Sequence, residues 1–359
     1  MWFGVVSLKI NNKTICKCII FALIFVVLFF SVQNILTGDS DTRDSQRIAG
    51  FFELPDNSLD AVFLGSSATY AFWNAPVAWS EYGIAVYPLS NSAQPTFAAK
   101  YLIEDARKRH PDALYIINMS HILEDYETYL DKLLINYPFT INKLKMANYL
   151  FDIANFNLSK RLTSVFPIFR YHQRWNEISY NDLVTTPDKY MGGSRYNAFL
   201  EVSKDVSNFY PDFTARLQLD ESTVRGMNDL FDYCESENVK VLFIVMPQTV
   251  GKERISRQNT LVEMVKERGF DVLDLRKYID EMKLNLQVDY YNERHTNIHG
   301  SLKVTDFLAQ YFIENYGFKD KRGESGYENW SKASSGYYKL IKNYLLPTDY
   351  VYLKNGYNN

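Results

Sequence analysis

The sequence predicts an α/β fold, a flavodoxin-like three-layer α/β/α sandwich around a mostly parallel sheet. An N-terminal transmembrane helix precedes it, and a largely helical insertion interrupts it. Three observations carry this. Short apolar runs alternate with helix-length segments, as in a parallel sheet covered on both faces. A stretch of about 100 residues separates the third run from the fourth, too long for a simple loop. An apolar run near the N-terminus precedes all of it.

From Cys18 to Val32 every residue is apolar or small, and Ile35 and Leu36 extend the run. About 19 residues of helix reach roughly 28 Å, enough for a bilayer core. Lys9, Lys13 and Lys17 precede the run, and Asp39, Asp41 and Asp44 follow it. This bias places the N-terminus in the cytoplasm and the chain beyond residue 38 outside the cell membrane. No A-x-A site follows, and Cys16 and Cys18 lie where a lipobox cysteine cannot, so the run reads as an uncleaved single-pass anchor rather than a signal peptide. Residues 1–37 are thus a stub and anchor, and 38–57 a polar tether.

Asp60 to Leu64 is the first core strand and ends in Gly65-Ser66-Ser67. Asn74 with Pro76 reads as a helix cap followed by a first-turn proline. Further strands fall at 84–89, 113–117, 240–245 and 272–275, with helices at 96–109, 260–268 and 300–316. The core domain then comprises 58–119 and 221–316. Residues 120–220 form the insertion, either a cap over the site or a structural addition. A tail, 317–359, with a short helix from Tyr337 to Leu346, is assigned no chemistry. In such sheets ligands bind beyond the carboxyl ends of the strands, where both Ser67 and the loop bearing His295 fall.

Composition excludes several classes. A formal charge of −3 offers no basic face for nucleic acid. Cys16 and Cys18 belong to the anchor, leaving Cys234 alone, and the five His are scattered; neither a disulfide framework nor a metal site is expected, and no cofactor is implied.

Two motifs carry the chemistry. A serine at the end of a buried parallel strand, on a Gly-containing turn, is presented at the mouth of the sheet, where a nearby base would activate it. Gly-Ser-Ser is also ordinary turn chemistry. The second motif is Asp289-Tyr-Tyr-Asn292-Glu-Arg-His295-Thr-Asn297-Ile-His299-Gly300. His295 on that loop would reach Ser67, take its proton and return it to the leaving group. His299 reads as structural. In the insertion, Arg170, His172, Arg174 and Trp175 either bind a phosphate, carboxylate or sugar or form a solvated helix anchored by Trp175.

On these motifs the chain resembles the SGNH (GDSL-like) hydrolase superfamily, in the branch with Gly-Ser-Ser in its first block. That branch is similar to bacterial polysaccharide O-acetyltransferases and the D-alanyl-teichoic-acid transfer protein. The likeness covers roughly 58–118 and 239–316. It implies Ser67 as nucleophile and His295 as base, the latter within a His-x-Asn-x-x-Gly block present as His295, Asn297 and Gly300. Where the family places Asp three residues before the His, this chain has Asn292; Asp289 is the alternative partner. For the oxyanion hole, Ala93 stands where the family has Gly. His121 falls on the third-block Asn position, with Asn118 three residues earlier.

The resemblance implies a membrane-anchored serine esterase or O-acyltransferase, with acetyl the expected group. Its substrate would be a cell-envelope glycan or acyl ester, and a polytopic membrane acyltransferase would supply the donor. The alternative is a catalytically degenerate protein that binds a glycopolymer or scaffolds an envelope complex. A thioesterase-like role in D-alanine transfer is disfavoured, because the last block lacks a Trp-containing continuation.

Overall fold

Five apolar runs form one parallel sheet in the order β2-β1-β3-β4-β5. The strands are β1 (Ala61–Leu64), β2 (Val86–Tyr87), β3 (Leu114–Asn118), β4 (Val241–Val245) and β5 (Asp271–Asp274). Register runs Ala61 to Val86, Leu64 to Ile117, Asn118 to Ile244 and Val245 to Asp274. Every residue of β1, β3 and β4 is buried, which is why these strands read as unbroken apolar runs rather than alternating ones. Only β5, at the edge, has an exposed residue. The computed structural model describes residues 11–37, 42–122, 133–153, 156–183, 192–194 and 208–354.

The order makes β1 and β3 neighbours although β2 lies between them in sequence. The chain leaves β1 towards one edge and returns to build the other, so the carboxyl ends of β1 and β3 flank a topological switch point.

The helices are α1 (Asn12–Thr37), α2 (Thr42–Phe52), α3 (Ser67–Phe72), α4 (Ala75–Tyr82), α5 (Ala99–Ala106), α6 (Ile141–Ile153), α7 (Leu158–Val165), α8 (Ile168–Tyr171), α9 (Tyr180–Leu183), α10 (Glu221–Ser236), α11 (Lys252–Glu267), α12 (Ile298–Tyr316) and α13 (Glu328–Ile341). Helix α1 is long and apolar enough to cross a membrane. Asn74 caps α4 as expected, its side chain accepting from the Val77 N–H. Helices α6 to α9 fall between β3 and β4.

Two boundaries need correction. The segment expected to be a tether contains α2, whose Ile48 and Phe51 join the core. Its charges are not solvated: Asp44 and Arg47 are 2% and 3% exposed and pair at 2.5 Å. The tail is also part of the fold. Its helix is α13, earlier than expected, and it packs on α4: Ser334 Oγ donates to Pro76 O at 2.9 Å, Asn74 Nδ2 to Tyr337 Oη at 2.5 Å, and Trp79 Nε1 to Ser331 Oγ at 3.2 Å.

Candidate active site

The turn after β1 is forced by Gly65. Its φ is +144°, and a Cβ there would sit 2.6 Å from Thr69 Oγ1 and 2.8 Å from the Asn118 Cβ. Only glycine fits. Ser66 is extended and Ser67 opens α3, so the backbone N–H of Ser67 precedes the first i→i−4 bond of the helix. The side chain of Ser67 is half-buried at the switch point.

The histidine arrives on a hairpin of β6 (Tyr290–Asn292) and β7 (His295–Thr296), in which Asn292 pairs directly with His295 across the turn. His295 Nε2 lies 2.7 Å from Ser67 Oγ, and its Nδ1 lies 2.9 Å from Asn292 Oδ1. The Arg294 N–H donates to the same Oδ1 at 2.9 Å. A backbone N–H can only donate, so it fixes which end of the Asn292 amide is oxygen. That oxygen accepts the proton on Nδ1, leaving a lone pair on Nε2 for the Ser67 hydroxyl. The tautomer required of a general base follows from one backbone contact.

Four hydrogen bonds hold the hairpin. Thr296 Oγ1 donates to Ala71 O on α3 at 2.7 Å, tying the base's strand to the nucleophile's helix. The Thr249 N–H donates to Glu293 O at 2.8 Å, and Gln248 Nε2 to Arg294 O at 2.9 Å. Tyr290 Oη donates to Pro247 O at 2.5 Å. The last block also has a mechanical reading. Asn297 caps α12, its Oδ1 accepting from the Gly300 N–H at 3.2 Å, and any side chain at Gly300 would collide with the Asp289 carbonyl.

Asp289 is a correction. It is fully buried, and its Oδ2 accepts from Lys303 Nζ at 2.7 Å and from the Asn285 N–H at 2.6 Å. Its carboxylate serves the base of the hairpin; Asn292 orients the imidazole. His299, as expected, is structural: its Nδ1 lies 2.6 Å from Asp349 Oδ2, both buried.

Of the oxyanion candidates, Ala93 has φ +54°, a left-handed conformation that explains why glycine suits this position. Its loop is braced by the buried ion pair of α2. Asp44 Oδ2 accepts from the Ser92 N–H at 3.0 Å, and Arg47 donates to Ser90 O at 3.2 Å while lying 3.8 Å over the Tyr70 ring of α3. Asn118 is turned inward: its Nδ2 donates to Thr69 Oγ1 at 3.0 Å, and its Oδ1 accepts from the Ser120 N–H at 2.9 Å. That amide stabilises the turn rather than facing outward. His121 is different. Burial, then the charges of Arg254, Arg294 and His295, push its pKa down to about 3, and its buried Nε2 has no hydrogen-bond partner among the described residues. Its neutral ring is near enough to Arg254, Arg294 and His295 to feel their charges. Arg254, absent from the sequence reading, is one of its neighbours; no motif marked it.

Arg170, His172 and Trp175 lie on the short helical segments that pack against α1. Arg174 donates to Leu36 O at 2.8 Å and to Asp182 at 2.9 Å. The structure thus places all three on segments beside α1, not on the turn of Ser67 or the hairpin of His295. No group of His, Cys, Asp and Glu suited to a metal ion occurs among the described residues. No family model matches the chain, and no curated protein matches it.

Proposed function

We propose that the chain is a membrane-anchored serine esterase or O-acyltransferase of the SGNH type. Its expected substrates are acyl esters, acetyl above all, on a cell-envelope or exported glycan. One observation carries this: a serine and a histidine 228 positions apart share a 2.7 Å hydrogen bond at the switch point of a parallel sheet, with the far nitrogen of the histidine bonded to an oriented amide oxygen. As Ser67 Oγ attacks the acyl carbonyl carbon, its proton passes to His295 Nε2. The tetrahedral oxyanion is met by the backbone N–H groups of Ser67 and Ala93 and by His121 Nε2 in its N–H tautomer. Collapse breaks the ester bond, and His295 returns its proton to the departing oxygen. The acyl-Ser67 ester is then attacked by an acceptor hydroxyl, of sugar or water, which His295 deprotonates in turn.

In this reading the fold is a three-layer α/β/α sandwich, with residues 120–220 as a largely helical insertion. In the same reading Lys9, Lys13 and Lys17, ahead of the apolar run, orient the site outside the cytoplasmic membrane. A polytopic acyltransferase would deliver the donor.

Asn292 in place of a carboxylate supports the second reading, a glycopolymer-binding protein without turnover. Treatment of the full chain with a fluorophosphonate separates the two. The enzyme reading expects covalent labelling at Ser67, abolished in Ser67→Ala. Intact glycan binding by both proteins, with no labelling of either, would establish the binding reading.

A further inference from the structure

Helices α6 to α9 leave an unusual surface. Off α1, ten of the large apolar side chains that are exposed lie within residues 139–183, against six in all the remaining described chain. They include Ile141, Leu158, Leu162, Phe169, Trp175 and Tyr180, each 41–76% exposed. The same segment carries six Lys and Arg against three Asp and Glu, in a chain of net charge −3. Soluble surfaces rarely concentrate apolar area in this way.

This surface is continuous with α1. Phe139 and Phe166 stack on each other at 5.6 Å and touch Phe30 and Phe29, at 4.8 and 5.8 Å. Arg174 donates to the last carbonyls of α1, Leu36 O at 2.8 Å and Thr37 O at 3.1 Å. The exposed apolar face of α1 ends at Val32, so Phe29 and Phe30 lie within one turn, about 5 Å, of its end. Whatever these rings touch sits at the boundary between hydrocarbon and headgroups.

The segment is also fixed to the core. Buried Asp105 of α5 accepts from Tyr137 Oη at 3.1 Å, Thr140 Oγ1 at 2.9 Å and Asn142 Nδ2 at 2.8 Å. Met146, Ala147, Leu150 and Phe151 of α6 are buried.

We propose that residues 139–183 form a second membrane contact, a collar seated in the interface of a bilayer bearing anionic lipid, beside the end of α1. Its exposed apolar side chains enter the acyl boundary, and Lys160, Arg161 and Arg170 face the headgroups. Through Asp105 the collar holds the Ser67 site at a fixed height and tilt above the bilayer.

Among the described tryptophans Trp175 is its natural reporter, because Trp73, Trp79 and Trp330 are buried. The full chain is reconstituted in vesicles of phosphatidylcholine and phosphatidylglycerol with brominated acyl chains, and the emission lost in Trp175→Phe is taken as the Trp175 signal. The collar requires that bromine quench this signal and that aqueous iodide leave it largely intact. Leu158→Glu with Leu162→Glu should reduce the bromine quenching while the chain still floats with the vesicles. Ready quenching by iodide and none by bromine overturns the collar. Protection from both quenchers also overturns it, since a protein surface then covers the patch. Failure of the native chain to float overturns anchor and collar together, and none of these outcomes depends on catalysis by Ser67.

Discussion

The rim of the sheet and the surface of residues 139–183 invert the usual distribution of side chains in opposite ways. At the rim, polar groups are buried: Asp44, Arg47, Asn118 and Asn297 are each 3% exposed or less. Nearly every one is paired, because an unpaired buried polar group costs about 1–3 kcal/mol. On residues 139–183, large apolar groups are exposed instead. The difference teaches that the rim is complete by itself, a preset geometry, whereas the other surface is finished only by something outside the molecule.

The sharpest way to break that contrast is at the rim. Under the proposed acyl chemistry, His295→Gln should lower turnover at least ~10⁴-fold with unchanged circular dichroism, since the substitution would remove the base and little packing. Retention of activity would show that the 2.7 Å contact to Ser67 is incidental.

Next in size is Arg47→Met. It leaves Asp44 buried without its 2.5 Å partner, a loss of about 3–5 kcal/mol by denaturant titration. Asp44→Leu combined with Arg47→Met should recover much of it. The same change made among the exposed cations of residues 139–183, Arg170→Met, should shift stability by less than about 0.5 kcal/mol.

Asn292→Asp adds a charge against His295 Nδ1, 2.9 Å away. Under the proposed mechanism, stabilisation of the imidazolium formed during attack should raise kcat about ten-fold at pH 8. A fall in kcat would mean that the neutral amide is the required partner.

A further effect is on acid stability. His121 is held neutral by burial and by the cations around it, down to about pH 3. Unfolded, it binds a proton near pH 6.5. The unfolded state therefore gains protons first, and folding stability declines as pH falls from about 6.5 towards 3, by at most ~1.4 kcal/mol per pH unit. His121→Asn should flatten that slope in denaturant midpoints measured against pH.

Much of this was legible in the residues. Strands β1, β3 and β4 announce themselves as apolar runs because both faces are covered, whereas Ser67 and His295 were marked by their order in the chain and by the family resemblance, not by position alone. What the sequence concealed depends on contacts distant in the chain. Asp44 and Arg47, spaced i,i+3 in a polar stretch, look like a solvated tether; they are buried because Ser90, Ser92 and Gly193 receive them. Asn292 and Asp289 were equivalent candidates until the two-residue turn of the hairpin set Asn292 opposite His295 and left Asp289 facing Lys303. Helix α13 was underestimated because its anchor, Asn74, is 263 positions from Tyr337.

A second contact of the tail has a temporal consequence. Asp349 grips His299 at the start of α12, four positions beyond the histidine that meets Ser67. A ribosome releases residues in order, so the sheet can assemble early while its sealing strap is still unmade. The loop that carries His295 is therefore tied to a residue 50 positions beyond His299, which emerges after every strand of the sheet.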